Sequence, residues 1–487
     1  MRRLSIILFI TFCFMVSSIT GCSNNAKLSV PEKQFDTGGN DLSVFHRVAE
    51  HDLGLGLRFP GIIVGIEKAA RENIDAGICT LWWGKGQEYD DLDPDLFHKN
   101  SKLHKNIQKT LNDCKRMFVS HIVDYKVTKK HNGFEYIEEN VLYSAYKKPV
   151  EGNRYKNAYA RGQEALIQGL GNELRKKVES VKDQEPYTHI LLFSMGWNTD
   201  QQESMMNYNS LITQMINAAN VTFKPLFIGI SWPSEWSWPV LEGLGKVLSY
   251  PVKSSDADEV ALLQVNPLLY EVLIDLKHHY DIPLILLGHS FGARLITRSV
   301  FGLPAQRTRQ PQSDNIDLVI SLQGAFSVNR FIMDNGNEGS PYADFANHAK
   351  KFILTWSEFD SANPIAAFVT FAKHSGGIPG YKQSLKAPDI FQQFVILCDH
   401  IDNDDNKECK TDKHYDIKFQ CVSTEPGDKC VNRPIWDQSF KNGNTISMID
   451  ASQIIFREPH NKGGKAHSDI YTHAIANFVW DAITNIK

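Results

Sequence analysis

Short runs of uninterrupted apolar residues alternate with longer amphipathic stretches through the second half of the chain. The runs cover 189–193, 226–230, 284–287, 318–322 and 352–354, and amphipathic segments such as 201–220 and 259–280 lie between them. A strand that is apolar at every position is one that is covered on both faces. Alternation of such strands with helices therefore predicts a mostly parallel sheet with helices on both sides, an α/β fold. Residues 445–451 read as the last strand of this series and 469–486 as its closing helix. Upstream, 117–127 and 134–145 alternate as strands do, and Asn132-Gly133 between them is a hairpin signal. Residues 157–182 are rich in Ala, Leu, Glu and Lys and predict a helix.

Two stretches depart from the pattern. Residues 41–115 are mixed, with a helical segment at 102–114, and are expected to form an N-terminal extension to a domain spanning 116–487. Residues 373–443 hold many Asp and Asn together with Cys398, Cys409, Cys421 and Cys430, which predicts a disulfide-stapled insertion on the core. The 487 residues suffice for a large core, and 42% hydrophobic with 22% charged residues is a globular composition. A formal net charge of −4 supplies no basic field, so a nucleic-acid partner is not expected. No internal repeat is present.

The first residues change the picture. Arg2 and Arg3 precede an apolar run at 4–16 and then Ser17 and Ser18, the layout of an export signal over 1–21. The run is shorter than the roughly 20 residues that span a bilayer. Ile19-Thr20-Gly21-Cys22 resembles the bacterial lipobox, which implies that Cys22 becomes a lipid-bearing first residue and that 22–40 is a tether from the membrane. Ser23, by the sorting pattern of such lipoproteins, implies delivery to the outer membrane, facing periplasm or exterior. Once Cys13 leaves with the signal and Cys22 carries lipid, six cysteines remain, an even number suited to disulfides in an oxidising compartment. Cys79 with Cys114 is the natural pair outside the cluster, and the remaining connectivity stays open. Neither C-x-x-C nor H-x-x-x-H spacing occurs, and Asp402, Asp404 and Asn406 start like a calcium loop but Lys407 stands for its Gly and Lys413 for its Glu, so no metal or other cofactor is expected.

The chemistry centres on Gly288-His289-Ser290-Phe291-Gly292, a G-x-S-x-G directly after the apolar run at 284–287 and directly before a helical pattern. A serine hydroxyl is a weak nucleophile until a base takes its proton, and a sharp strand-to-helix turn would push Ser290 out towards a substrate. The segment is similar to the nucleophile elbow of the α/β-hydrolase superfamily. Phe193-Ser194-Met195-Gly196-Trp197-Asn198-Thr199 resembles the H-G-W-N turn of a poorly characterised bacterial branch, with Met195 where the branch carries His, and Ser231-Trp232-Pro233-Ser234 resembles its S-W-P-S turn. The resemblance covers about 186–480 without the insertion. It implies an oxyanion hole from the Trp197 and Phe291 backbone N–H groups, and a triad in the order Ser, Asp, His.

For the acid, Asp360 lies in the loop after the run at 352–354, with Glu358 as alternative. For the base, His467 follows Gly463-Gly464 ahead of the last helix, with His460 and His473 as alternatives. Trp197, Trp232, Trp236 and Trp238 either rim the pocket or pack on one another. The reading that results is a serine hydrolase acting on a small-molecule ester or related acyl bond through an acyl-enzyme, attached to the membrane by its lipid, of open oligomeric state. A silent binding or scaffold protein on the same fold, an acyltransferase and a peptidase are the alternatives.

Overall fold

The computed structural model describes residues 56–68, 117–129, 135–145, 158–183, 185–196, 201–219, 223–234, 253–254, 256–301, 315–332, 349–360, 362–363, 373–398, 417–421, 445–455 and 465–484. Eleven strands in these residues form one sheet: β1 (Gly61–Lys68), β2 (Met117–Lys129), β3 (Glu135–Ser144), β4 (His189–Ser194), β5 (Pro225–Ser231), β6 (Leu284–His289), β7 (Leu318–Leu322), β8 (Lys351–Trp356), β9 (Phe391–Cys398), β10 (Ile417–Cys421) and β11 (Thr445–Asp450). Their order is β10-β9-β11-β8-β7-β6-β4-β5-β1-β2-β3. Every pairing from β10 to β1 is parallel. Only β1–β2 and β2–β3 are antiparallel. The fold is therefore α/β with a mostly parallel sheet.

The reason lies in the alternation along each strand. In β4, Ile190 and Leu192 join one apolar cluster while Leu191 and Phe193 join another. Leu284 and Leu286 part from Ile285 and Leu287 in the same way in β6. One face is covered by α1 (helical from Ala158–Glu164 through a π-helical Ala165–Leu170 to Gly171–Val181), by α3 and by α4 (Phe291–Phe301). Helix α3 runs from Ala261–Val265 to Ile274–Tyr280 with two π-helical stretches. The other face is covered by α2 (Gln201–Ala218) and the last helix, α6 (His473–Thr484). A short α5 (Ile378–Ser384) follows β8.

Three strands were not anticipated. β1 comes from within 41–115, yet it pairs with β5 on one side and β2 on the other, and Ile62, Ile63, Val64 and Ile66 are buried. β9 and β10 come from within 373–443. That stretch does not sit on the core as an excursion: it leaves the sheet after β8 and adds two parallel strands outside β11. Phe391 and Phe394 are buried in the apolar cluster on one face of the sheet and Val395 and Leu397 in that on the other, which explains why they are apolar in so polar a neighbourhood. Cys398 and Cys421 are register partners in β9 and β10. The export signal, Cys22, the tether, the expected helix at 102–114, the Asn132-Gly133 turn, Cys79, Cys114, Cys409, Cys430 and the calcium-like stretch lie outside the described residues.

Because the central strands are parallel, Ser194, Ser231, His289, Leu322, Trp356 and Asp450 all end at one edge of the sheet. The segments that leave this edge carry every candidate residue of the site.

Candidate active site

Ser290 sits between β6 and α4 with a left-handed backbone, φ 54°. That conformation costs a non-glycine residue on the order of 1 kcal/mol and persists only where the surroundings enforce it. Here they do. The Ser290 N–H donates to the Leu322 carbonyl at 3.0 Å, and the Ser290 carbonyl accepts from the Ala325 and Arg294 N–H groups at 3.1 and 3.2 Å. The two motif glycines are required by close approach. A Cβ on Gly288 would lie 2.5 Å from the Ala293 Cα, and one on Gly292 would overlap the Ser194 and Met195 carbonyls at the end of β4. The helix behind the serine is braced by Arg294, whose guanidinium grips the buried Asp258 carboxylate through Nε at 2.9 Å and a terminal nitrogen at 2.8 Å.

His467 arrives from the other end of the chain on a 3-10 turn, Lys465–Ser468, before α6. Its Nε2 lies 2.8 Å from Ser290 Oγ and its Nδ1 2.8 Å from Asp360 Oδ2. An ionised carboxylate only accepts, so Nδ1 carries the proton and Nε2 offers its lone pair to the serine hydroxyl. Ser290 is 5% exposed and the His467 side chain 13%, so both are largely covered. Asp360 is buried. Burial alone pushes its carboxyl up; the His467 charge and hydrogen bond and the Asn363 N–H and amide outweigh it, and the carboxyl lies below its ordinary value.

The neighbour of the nucleophile is a second histidine, unnoticed in the sequence except as the variable position of its motif. His289 is buried, and its Nε2 lies 2.8 Å from the His467 carbonyl. A carbonyl only accepts, so His289 donates and ties the His467-bearing loop to β6. Burial and the adjacent His467 charge push His289 down to about 3, so it stays neutral and adds no second charge beside His467. Among the described residues its Nδ1 has no hydrogen-bond partner.

The turn after β4 packs directly on the serine: a Cβ on Gly196 would come 2.8 Å from Ser290 Cβ. Trp232 and Tyr471 are among the side chains that hold this turn. The Trp232 indole N–H donates to the Met195 carbonyl at 3.1 Å, and the Tyr471 hydroxyl lies 3.8 Å from Met195 Sδ. Trp232 thus packs into the interior. Met195, where the resembled branch has His, is buried and serves as a packing and weak acceptor residue. Phe291 opens α4 and is buried, one residue beyond the serine. Trp197, His460, Trp236 and Trp238 lie outside the described residues. Glu358 is on the acid loop but its N–H is taken by Ser452 Oγ, and His473 begins α6; neither joins the hydrogen-bonded chain of Ser290, His467 and Asp360.

Residues 171–372 match the model of a family described as "Alpha/beta hydrolase of unknown function (DUF900)". The match runs from the middle of α1 past Asp360 and stops before β11 and His467. No curated protein matches the chain. A solved structure, of the poly(3-hydroxybutyrate) depolymerase LpqC from Bordetella parapertussis, is 16% identical over 42% of this chain and 70% of its own, with a TM-score of 0.25.

Proposed function

We propose that the chain is a serine hydrolase that cleaves a carboxylic ester or a related acyl bond. The observation that carries this is the unbroken hydrogen-bonded chain from Ser290 Oγ through the His467 ring to Asp360, with the serine held at a strained, left-handed elbow. In this reading His467 Nε2 takes the Ser290 proton as Oγ attacks the carbonyl carbon, and later returns it to the leaving group. Water then attacks the acyl-enzyme by the same route. Asp360 fixes the tautomer and offsets the imidazolium charge. The Phe291 and Trp197 N–H groups are assigned to the oxyanion. The family match over β4 to β8 supports a hydrolase in kind and leaves the substrate to experiment.

We further propose that the mature chain begins at Cys22, is lipid-anchored in the bacterial cell envelope and meets its small-molecule substrate at the membrane. The support is the order of charged, apolar and small residues in 1–21 followed by Gly21-Cys22. The test of the chemistry is labelling of the full-length chain by a fluorophosphonate, alongside turnover of short acyl esters, amides and phospholipids. Labelling at Ser290 that vanishes in Ser290→Ala is expected; a wild-type chain that neither labels nor turns over any substrate of the panel would leave the binding-protein alternative standing. Mass spectrometry of the mature N-terminus tests the anchor: an unmodified terminus away from Cys22 refutes it.

A further inference from the structure

Asp360 is held by more than its histidine. Its Oδ1 accepts from the Ala362 and Asn363 N–H groups, both at 3.0 Å. Its Oδ2 accepts from the Asn363 side-chain amide at 2.8 Å and from the Gln323 side-chain amide at 3.3 Å, beside His467. Gln323 and Asn363 come from different loops, after β7 and after β8, and both are buried.

The direction of each amide follows from what meets its nitrogen: the Asp360 carboxylate only accepts, so the NH2 of each amide faces it. The Thr355 hydroxyl lies 3.1 Å from Gln323 Oε1, and His374 Nδ1 lies 3.2 Å from Asn363 Oδ1. The two amides are also tied together, since Asn363 Nδ2 lies 3.1 Å from the Gln323 carbonyl. Gln323 holds a left-handed backbone, φ 48°, and is with Ser290 and Asp281 one of three such non-glycine residues among those described. A strained, buried polar residue aimed at a functional carboxylate points to use in the site.

We propose that the Gln323 and Asn363 amides form a cradle that shares out the negative charge of Asp360 and so restrains its pull on the His467 proton, leaving the imidazole free to act as base. The proposal rests on the triad reading given above. Each N–H that a carboxylate accepts stabilises its charge where it stands and reduces what remains to attract a neighbouring cation. Too strong a pull would keep His467 protonated at working pH and unable to accept from Ser290. The other titratable groups near the pair are His289 from β6, Glu358 on the acid loop, Asp450 at the end of β11 and His374 behind Asn363. Among the described residues none of them is hydrogen-bonded to the Asp360 carboxylate or to the His467 ring. Gln323 and Asn363 are positioning residues that act through Asp360.

The experiment is an NMR titration of the His467 ring in the full-length, histidine-labelled chain, which needs no turnover, in wild type, Gln323→Met and Asn363→Ala. Loss of either amide is expected to raise the pH at which His467 loses its proton by about half a unit to one unit. The acid limb of kcat/KM moves with it. Gln323→Glu has the same shape as the native residue and carries the test if Gln323→Met does not fold; it is expected to move the titration further upward. If the amides served only to hold the loop, their loss would slacken the Asp360–His467 contact and shift the titration downward. A titration unmoved or lowered in Asn363→Ala and the Gln323 variants overturns the cradle. Fluorophosphonate labelling of the wild type decides the hydrolase reading separately, so either can fail alone.

Discussion

The two edges of the central sheet bury charge in opposite ways. At the edge where β4, β6, β7 and β8 begin, Asp317 sits between two lysines, with Lys277 Nζ at 2.5 Å from one oxygen and Lys350 Nζ at 2.8 Å from the other, and it also accepts the Leu284 N–H at 2.9 Å. Burial pushes this carboxyl up, but the two lysines and the N–H more than offset it and hold it below its ordinary value. The cleft around it, about 570 Å³, is lined by His189, Ile282 and Pro283 among others. Here the carboxylate meets two ammonium groups and a backbone N–H, and its contacts end in those fixed donors. At the opposite edge the buried Asp360 is also satisfied, but the chain of contacts runs on through the His467 ring and ends at the Ser290 hydroxyl. A network that ends in fixed charges stabilises; one that runs on through an imidazole to a hydroxyl can, in the function proposed above, pass a proton.

That contrast can be broken experimentally, and the largest effect should come from the Ser290 edge. Ser290→Ala or His467→Ala is expected to lower kcat/KM for a short acyl ester by roughly 10⁴-fold or more, with the folded state unchanged by circular dichroism. Retention of near wild-type turnover in His467→Ala would assign the base elsewhere.

At the Asp317 edge the effects should fall on stability. Asp317→Asn leaves Lys277 facing a neutral amide and is expected to cost roughly 3 kcal/mol in urea unfolding, while ester turnover per folded molecule stays within about twofold. A variant of wild-type stability would mean that the bridge is not a support. His189 sharpens the same point through pH. Burial pushes it down to about 4, against an opposing pull from Asp317. The unfolded chain therefore binds a proton below about pH 6.5 that the folded chain refuses until about pH 4, so stability falls as the medium is acidified through that window. His189→Gln should flatten this part of the curve by on the order of 1 kcal/mol. A wild-type curve already flat between those values would contradict the burial argument. Smallest is Trp232→Phe, which removes the indole donor to the Met195 carbonyl. A fall in kcat of about fivefold with KM nearly unchanged is expected, as fits one lost hydrogen bond of about 1 kcal/mol. An unchanged kcat would leave Trp232 a packing residue alone.

Much of this arrangement could be read from residue order. The strands from β4 to β8 are continuous apolar runs because both faces are covered, and such runs are legible without knowing what covers them. Ser290, Asp360 and His467, which the structure brings together, each follow a strand at the same sheet edge, so position in the chain stands in for distance. β1 was missed although Ile62-Ile63-Val64 is a clear apolar run: Gly61 and Gly65 dilute it, and its parallel partner β5 is more than 150 residues away. β9 and β10 were missed because the surrounding Asp, Asn and Cys dominate composition over a window longer than a strand. Gln323, Asn363 and His289 carry no pattern at all. Their roles depend on which atom meets which across separate loops, and only coordinates supply that.

β8 and β11 lie side by side, Trp356 against Asp450, although a long detour containing β9 and β10 separates them in the chain. The entropy of closing such a detour rises only logarithmically with its length, by about 0.6 kcal/mol for each doubling. The stretch between acid and base is therefore a place where whole elements can be added, removed or exchanged at little thermodynamic penalty. The edge that carries Ser290, Asp360 and His467 demands only that the final strand come back beside β8 in the same register. Diversification of what this scaffold encounters has a natural locus there, insulated from those three residues by one pair of strands.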